Sequence, residues 1–312
     1  MQGRRGDIRI GISGWTYRPW RGVFYPPGLP QKQELAFAAR SFSSIEINGT
    51  FYGLQTPDCF ARWTAETPDD FVFSLKGPRF ITHVKRLREA EAPLANFLAS
   101  GVLRLGRKLG PLLWQLPPNF AYDRERVEAF LRLLPRDTSE AEAFARQHHD
   151  HRVAGRTWLE PAPTRPLRHA LEIRHADFAS EDFIALLRQQ RVALVVSDAV
   201  TWPRLMDVTA DFVYCRLHGS EVLYASGYDG PALDLWAERV IAWAEGGEVA
   251  TNERASATPP AARPRRDVYV YFDNDAKVRA PFDAKGLMER VGAAAGTGSS
   301  AVTGSAPPVS RS

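Results

Sequence analysis

The sequence predicts a (β/α)8 barrel of the TIM type, a single α/β domain, and three observations lead there. Eight apolar runs of strand length recur along the chain, rich in β-branched and aromatic residues. Stretches able to form helices separate them, several opening on Asp, Ser or Pro. The patterned region covers roughly 290 residues, the size of such a barrel. A doubly wound open sheet is the competing arrangement of the same elements.

In order, the strands are read at 8–15 (IRIGISGW), 43–52 (SSIEINGTFY), 71–77 (FVFSLKG), 110–117 (GPLLWQLP), 169–175 (HALEIRH), 192–198 (VALVVSD), 211–219 (DFVYCRLHG) and 267–274 (DVYVYFDN). Helices are expected at 29–41, 92–108, 123–135, 180–191 and 231–245, the fourth beginning with a capping Ser180 followed by Glu181 and Asp182. Residues 246–265 carry Gly, Ala, Thr, Pro and Arg with almost no large apolar side chains, so they read as a flexible insertion before the eighth strand. Residues 291–312 read as a low-complexity tail, expected to be disordered.

Composition narrows the classes. A net charge of +4 arises from 40 basic against 36 acidic residues, too even a balance to point to nucleic acid by itself. Two cysteines, Cys59 and Cys215, supply no disulfide framework and suit a reducing compartment. No apolar run reaches membrane-spanning length and the first residues lack a signal-peptide core, so a cytoplasmic protein without a membrane partner is expected. Oligomeric state is not set by these features.

Alternation along the strands locates a site. Side chains two apart share a face, and the runs turn polar towards their C-terminal ends: Glu46, Asn48 and Thr50 on the second, Lys76 on the third, Gln115 on the fourth, Glu172 and Arg174 on the fifth. Asp198 closes the sixth, Arg216 and His218 the seventh, Asp273 and Asn274 the eighth. In a parallel barrel these ends meet at one rim, where barrel enzymes place their chemistry. Loop aromatics Trp15, Tyr17, Trp20 and Tyr52 are expected to add a stacking wall, and His83, in ITHVKRL after the third strand, to reach the same mouth.

The motifs GISGWTYRPWRGVFYP, IEINGTFY, FVFSLKGPRFITH, GPLLWQLPPNF, ALEIRH, YCRLHG and VYVYFDND, in this order, resemble the YecE-like family, a domain-of-unknown-function family. The resemblance runs from residue 8 to about 290 and implies a TIM-like barrel, without implying a reaction. Carried over by motif, it also marks Phe51, Thr82, His175 and Gly219 beside the rim residues. The chain departs from the family at Asp273-Asn274, where Asn-Asn is usual, and in the eighth loop, which lacks a glycine before Ala280-Pro281.

Lys76, Arg174 and Arg216 supply cations from three strands, an arrangement that would clamp a phosphate or carboxylate. Glu46 or Glu172 is the expected general base if desolvation raises its pKa, and His218 the expected proton donor or acceptor. The reading is an enzyme, of hydrolase, isomerase or lyase type, acting on an anionic small molecule. A nucleic-acid-binding or phosphodiester-processing barrel and a non-catalytic ligand-binding protein remain as alternatives. No cofactor is predicted. The carboxylates with His218 and His83 are of a kind that holds a divalent metal, but repulsion from the three cations argues against it. The cluster His148, His149 and His151 follows a polar helical run and reads as a solvated helix end. No Gly-x-Gly-x-x-Gly, Walker loop or nucleophile elbow is present.

Overall fold

In the computed structural model, which describes residues 5–160 and 163–297, eight parallel strands close into a barrel in chain order. They are β1 (Ile8–Ser13), β2 (Ser44–Ile47), β3 (Val72–Lys76), β4 (Leu109–Gln115), β5 (His169–Glu172), β6 (Ala193–Asp198), β7 (Phe212–Leu217) and β8 (Asp267–Phe272), with β8 pairing back to β1. Every apolar run of the sequence is a strand, and all but the sixth end sooner than their runs.

The helices are α1 (Glu34–Ser41), α2 (Gly49–Tyr52), α3 (Pro57–Ala65), α4 (Glu91–Ala99), α5 (Arg124–Leu133), α6 (Thr138–His148), α7 (Glu181–Gln189), α8 (Gly230–Ala244) and α9 (Ala280–Thr297). Five have a side chain accepting from an otherwise orphaned N–H of the first turn: Thr56, Asp123, Asp137, Ser180 and Asp229. The single helix expected at 92–108 divides at Gly101, whose φ of 114° ends α4 before a tighter 3₁₀ segment, Val102–Lys108. Among the described residues no helix is long and apolar enough to cross a membrane.

Register decides which residues face inwards. Within the barrel sit Leu113, Ala170, Ala193, Val195, Phe212, Tyr214, Tyr269 and Tyr271, while alternate positions such as Ile10, Ile12, Leu171, Val196 and Val270 pack against the helices. A register shift between β3 and β4 turns Leu113 and Gln115, rather than Leu112 and Trp114, to the interior. Gly11 fits between β1 and β2 because a Cβ there would lie 1.8 Å from the Ser44 carbonyl oxygen. The inward tyrosines are hydrogen-bonded, as buried hydroxyls must be: Tyr271 with Ser44 at 2.7 Å and Tyr214 with Ser74 at 2.7 Å.

Residues 246–265 contain no helix or strand, as their composition predicts, but the segment is fastened by hydrogen bonds to residues between 188 and 207. Asp207 accepts from the backbone N–H groups of Ala255 and Ser256 at 2.8 and 3.1 Å, Met206 donates to the Glu253 carbonyl at 2.8 Å, and Arg188 donates to the Thr258 carbonyl at 2.9 Å. These bonds correct the expectation of a free loop. The tail was expected from residue 291, but α9 runs to Thr297; the rest of that expectation lies outside the described residues.

Candidate functional site

At the C-terminal end of the strands a charged cluster is built around Arg216. Its inward position on β7 follows from the alternation Phe212, Tyr214, Arg216, His218. Arg216 Nε and Nη2 donate to the two Glu46 oxygens at 3.1 and 2.9 Å, Nη1 donates to Glu172 Oε2 at 2.6 Å, and Nη2 also donates to Asp273 Oδ2 at 2.7 Å. Glu46 further accepts from Ser13 Oγ at 2.8 Å and Tyr214 OH at 2.6 Å. Arg216, Glu46 and Glu172 have no exposed side-chain surface. One guanidinium thus serves three carboxylates from β2, β5 and the end of β8.

Electrostatics follow from that geometry. Burial alone would raise the Glu172 carboxyl, but Arg174 and Arg216 outweigh it and hold the group well below the usual carboxylate range. Asp273 behaves likewise, with Arg216 and then His218 opposing its burial. The same carboxylates raise the Arg216 pKa against its burial. The expectation that desolvation makes Glu172 a general base is therefore corrected: its proton affinity falls. Glu46 is corrected for a different reason, since both its oxygens are already committed to Arg216, Ser13 and Tyr214.

Above this floor lie the groups that a ligand would meet first. Arg174 donates to Glu172 Oε1 through Nε at 2.9 Å, with Nη2 2.8 Å from the same oxygen in an ion pair, and stacks 3.7 Å from the centre of the Trp202 ring. Lys76 Nζ lies 4.5 Å from the Phe51 ring centre and has no carboxylate within ion-pair distance among the described residues. Burial first, and Arg216 second, lower its pKa to about 8. The His83 ring stands edge-on to Phe51 at 5.1 Å, its Nδ1 2.9 Å from Thr82 Oγ1, and burial together with Lys76 and Arg174 pushes its pKa down to about 4. Two of the three expected cations are thus already paired, which corrects the three-cation clamp and leaves Lys76 as the cation of the mouth without a carboxylate partner.

His218 is wholly buried beneath Trp202 and Tyr224, whose rings meet it edge-on at 5.1 and 5.4 Å. Its Nδ1 lies 3.2 Å from Asp273 Oδ2 and its Nε2 3.8 Å from Glu172 Oε1, but neither contact has hydrogen-bonding geometry. Burial lowers its pKa despite the two carboxylates. Gly219 follows with φ at 111°, turning the chain off the strand so that Tyr224 folds back and donates its N–H to the His218 carbonyl at 2.5 Å.

Asn48 and Gln115 face the mouth as expected, and Tyr17 stands near Asn48, Asp273 and Asp275, its hydroxyl donating to the Ser13 carbonyl at 2.6 Å. Other expectations are overturned by parity and packing. Asp198 points outwards, accepting from Arg204 at 2.5 Å and Trp236 Nε1 at 3.1 Å, because Ser197 holds the inward position on β6. Asn274 also faces outwards, tying Ser226 and Asp283 together. Thr50 has left the strand for α2 and donates to the Lys76 carbonyl at 2.7 Å.

Trp20 is fully buried among Tyr17, Phe24 and Tyr25. Removing roughly 200 Å² of indole from water contributes on the order of 5 kcal/mol of transfer energy, so its role is packing rather than stacking on a ligand. Trp15 packs edge-on against Trp63 of α3. Tyr52 is 73% exposed and lines an outer cavity of about 280 Å³ with Phe51 and Phe80. The expected aromatic wall is thus reduced to Tyr17 and Phe51, with Trp202 and Tyr224 added from loops that carry no periodic signal. The histidine-rich stretch divides: His148 lies 3.4 Å from Glu91 and His149 Nδ1 2.9 Å from the Ala145 carbonyl.

Besides Trp202 and Tyr224, two more site residues were not indicated by the sequence. Ser197 was hidden by a one-residue error of phase. Asp275 continues the inward series Tyr269, Tyr271, Asp273 beyond the end of β8, and burial with the nearby Asp273 charge raises its pKa to about 6.

A match to the family described as "Protein of unknown function DUF72" extends over residues 9–307. The chain belongs to the DUF72 family. Among curated proteins it is similar to UPF0759 protein YecE of Escherichia coli, 33% identical over 113 residues, and to UPF0759 protein YunF of Bacillus subtilis, 30% identical over 130 residues. These matches span 36% and 40% of this chain, and 39% and 45% of those proteins. Solved DUF72 structures share the fold: one from Thermotoga maritima has a TM-score of 0.66 at 23% identity, covering 92% of this chain and 99% of its own. One from Enterococcus faecalis has a TM-score of 0.64 at 16% identity, covering 91% and 95%. At these identities the DUF72 structures establish the barrel and leave the chemistry to the residues of the mouth.

Proposed function

We propose that this DUF72 protein is an enzyme of the acid/base class acting on a small anionic molecule held at the C-terminal mouth. One observation carries the reading. Among the described residues Asn48 Oδ1, Gln115 Oε1, Ser197 Oγ and His218 Nε2 are buried without a hydrogen-bond partner, and all belong to inward-facing positions at the ends of β2, β4, β6 and β7. Each buried unpaired polar group costs about 1–3 kcal/mol, so four at the strand ends of one mouth favour a polar ligand there over a purely structural network.

Lys76 supplies the charge such a ligand answers to. Its ammonium group lacks a carboxylate partner, and a phosphate or carboxylate placed beside it would restore the proton affinity that burial and Arg216 depress. Asp275, displaced to about 6, and Lys76, displaced to about 8, bracket neutral pH from opposite sides. A base and an acid so placed suit proton abstraction beside an oxygen that gains negative charge, the step shared by isomerases and lyases. The Arg216 network serves as the rigid floor that holds both.

The test is calorimetric titration with glycerol phosphate, phosphoglycolate, lactate and malate, repeated on Lys76→Met. Saturable binding of at least one probe, weakened tenfold or more in the variant, is expected. No binding by any of them, or binding that Lys76→Met leaves unchanged, overturns the proposal.

A further inference from the structure

The opposite end of the barrel carries a charged cavity of about 430 Å³, lined by Arg136, Arg168, Arg188, Arg191 and Arg263, with Asp211 the acidic residue of its lining. It lies where the strands begin. Arg168 and Asp211 directly precede β5 and β7, Arg136 and Arg191 come from the turns after α5 and α7, and Arg263 is brought by the fastened segment 246–265.

Three of the five guanidinium groups have partners. Arg168 donates to Asp211 at 3.2 Å and Asp267 at 2.6 Å; Arg188 donates to the carbonyl oxygens of Val208 and Thr258 at 3.3 and 2.9 Å; Arg136 donates to the Leu131 carbonyl at 3.0 Å and Gln190 Oε1 at 3.1 Å. Among the described residues Arg191 and Arg263 have neither a hydrogen bond nor an ion pair from their side chains. The crowding is felt: burial first, and the Arg191 charge second, lower the Arg136 pKa. Arg191 and Arg263 are both exposed, so they present to solvent two guanidinium groups that the protein does not engage, at the edge of a cavity that holds three more.

We propose that this cavity binds a diphosphate group, free or carried by a nucleoside, gripped between Arg191 and Arg263 with Arg136 and Arg188 behind it. Two unpartnered guanidinium forks on separate segments match two phosphoryl groups, each able to accept a pair of parallel N–H bonds. The site stands apart from the mouth and does not rest on the function proposed for it.

The experiment titrates the full chain with pyrophosphate, ADP, inorganic phosphate, citrate and a single-stranded oligonucleotide, at matched ionic strength. Pyrophosphate or ADP should bind saturably and at least tenfold more tightly than phosphate or citrate, and the tighter of the two identifies the source of the diphosphate. Arg191→Glu with Arg263→Glu should weaken that binding at least tenfold, while Lys76→Met leaves it unchanged. Absence of saturable binding by both diphosphates, equal binding in the double variant, loss in Lys76→Met, or tighter binding of citrate or the oligonucleotide would each overturn the assignment.

Discussion

Replacing Arg216 with methionine keeps most of the side-chain volume and removes the guanidinium that Glu46, Glu172 and Asp273 share. Breaking one buried pair by deleting a partner costs about 3–5 kcal/mol, because the surviving charge has no solvent to turn to. Here three carboxylates are left, two of them without exposed surface, so the upper part of that range or more is expected at pH 7, a large share of the roughly 5–15 kcal/mol that holds a domain folded. By the scaling for chains of a few hundred residues, 3–5 kcal/mol corresponds to a fall in melting temperature of about 6–20 °C. The loss should also depend on pH. In the native protein Glu172 and Asp273 are held below their ordinary range, so the stability they contribute is fully present above about pH 4 and disappears only as pH falls through their depressed values. Without Arg216 the stranded carboxyls take up protons more readily, so acidification from pH 7 to pH 5 relieves the variant and narrows its difference from the native protein. Thermal and urea denaturation at both pH values measure this. A variant destabilised by less than about 1 kcal/mol at pH 7, or by the same amount at both pH values, would refute the view of Arg216 as the keystone of a buried network.

Lys76→Met should act in the opposite direction on stability. The lysine carries its charge in a site that disfavours it, so the native protein should gain stability as pH rises from about 8 towards 10.5, where the unfolded chain still holds the proton. The variant should lack that rise and be more stable at pH 7 by about 2–3 kcal/mol, measured by denaturation across the pH series. Any turnover found for the mouth should fall below pH 6 and above pH 8, following Asp275 and Lys76, and Asp275→Asn should remove the acidic limb of the rate profile. Asp198→Asn, on the outward face, should leave ligand binding at the mouth within about threefold while costing about 1–2 kcal/mol through Arg204 and Trp236, read from titration and melting respectively.

The barrel was legible because eight parallel strands buried on both faces leave eight apolar runs, a signal that survives small errors of boundary. The mouth was legible as far as period-two alternation could be phased. Phase held on β2, β5 and β7, where Glu46, Glu172, Arg174, Arg216 and His218 share the inward face. It failed on β6 and β8, where the last polar residue of the run, Asp198 or Asn274, is one step past the inward position. That the rim charges could satisfy one another was legible, but which groups pair was not. Arg216 occupies the centre of three carboxylates from strands distant in sequence, and that convergence engages Arg216 and Arg174 in the floor and leaves Lys76 above it. The fastening of residues 246–265 escaped for a similar reason, since Asp207 and Arg188 hold that segment by its backbone, which composition does not report.

Central to the mouth is Lys76, which among the described residues has no carboxylate within ion-pair distance above the Arg216 network. Its side-chain titration, followed by NMR on lysine-labelled protein with Lys76→Arg to assign the resonance, tests this directly. A midpoint of about 8 in the free protein, moving upwards when an anionic ligand is added, is the predicted result. A midpoint at the ordinary value near 10.5, unmoved by ligand, would contradict it.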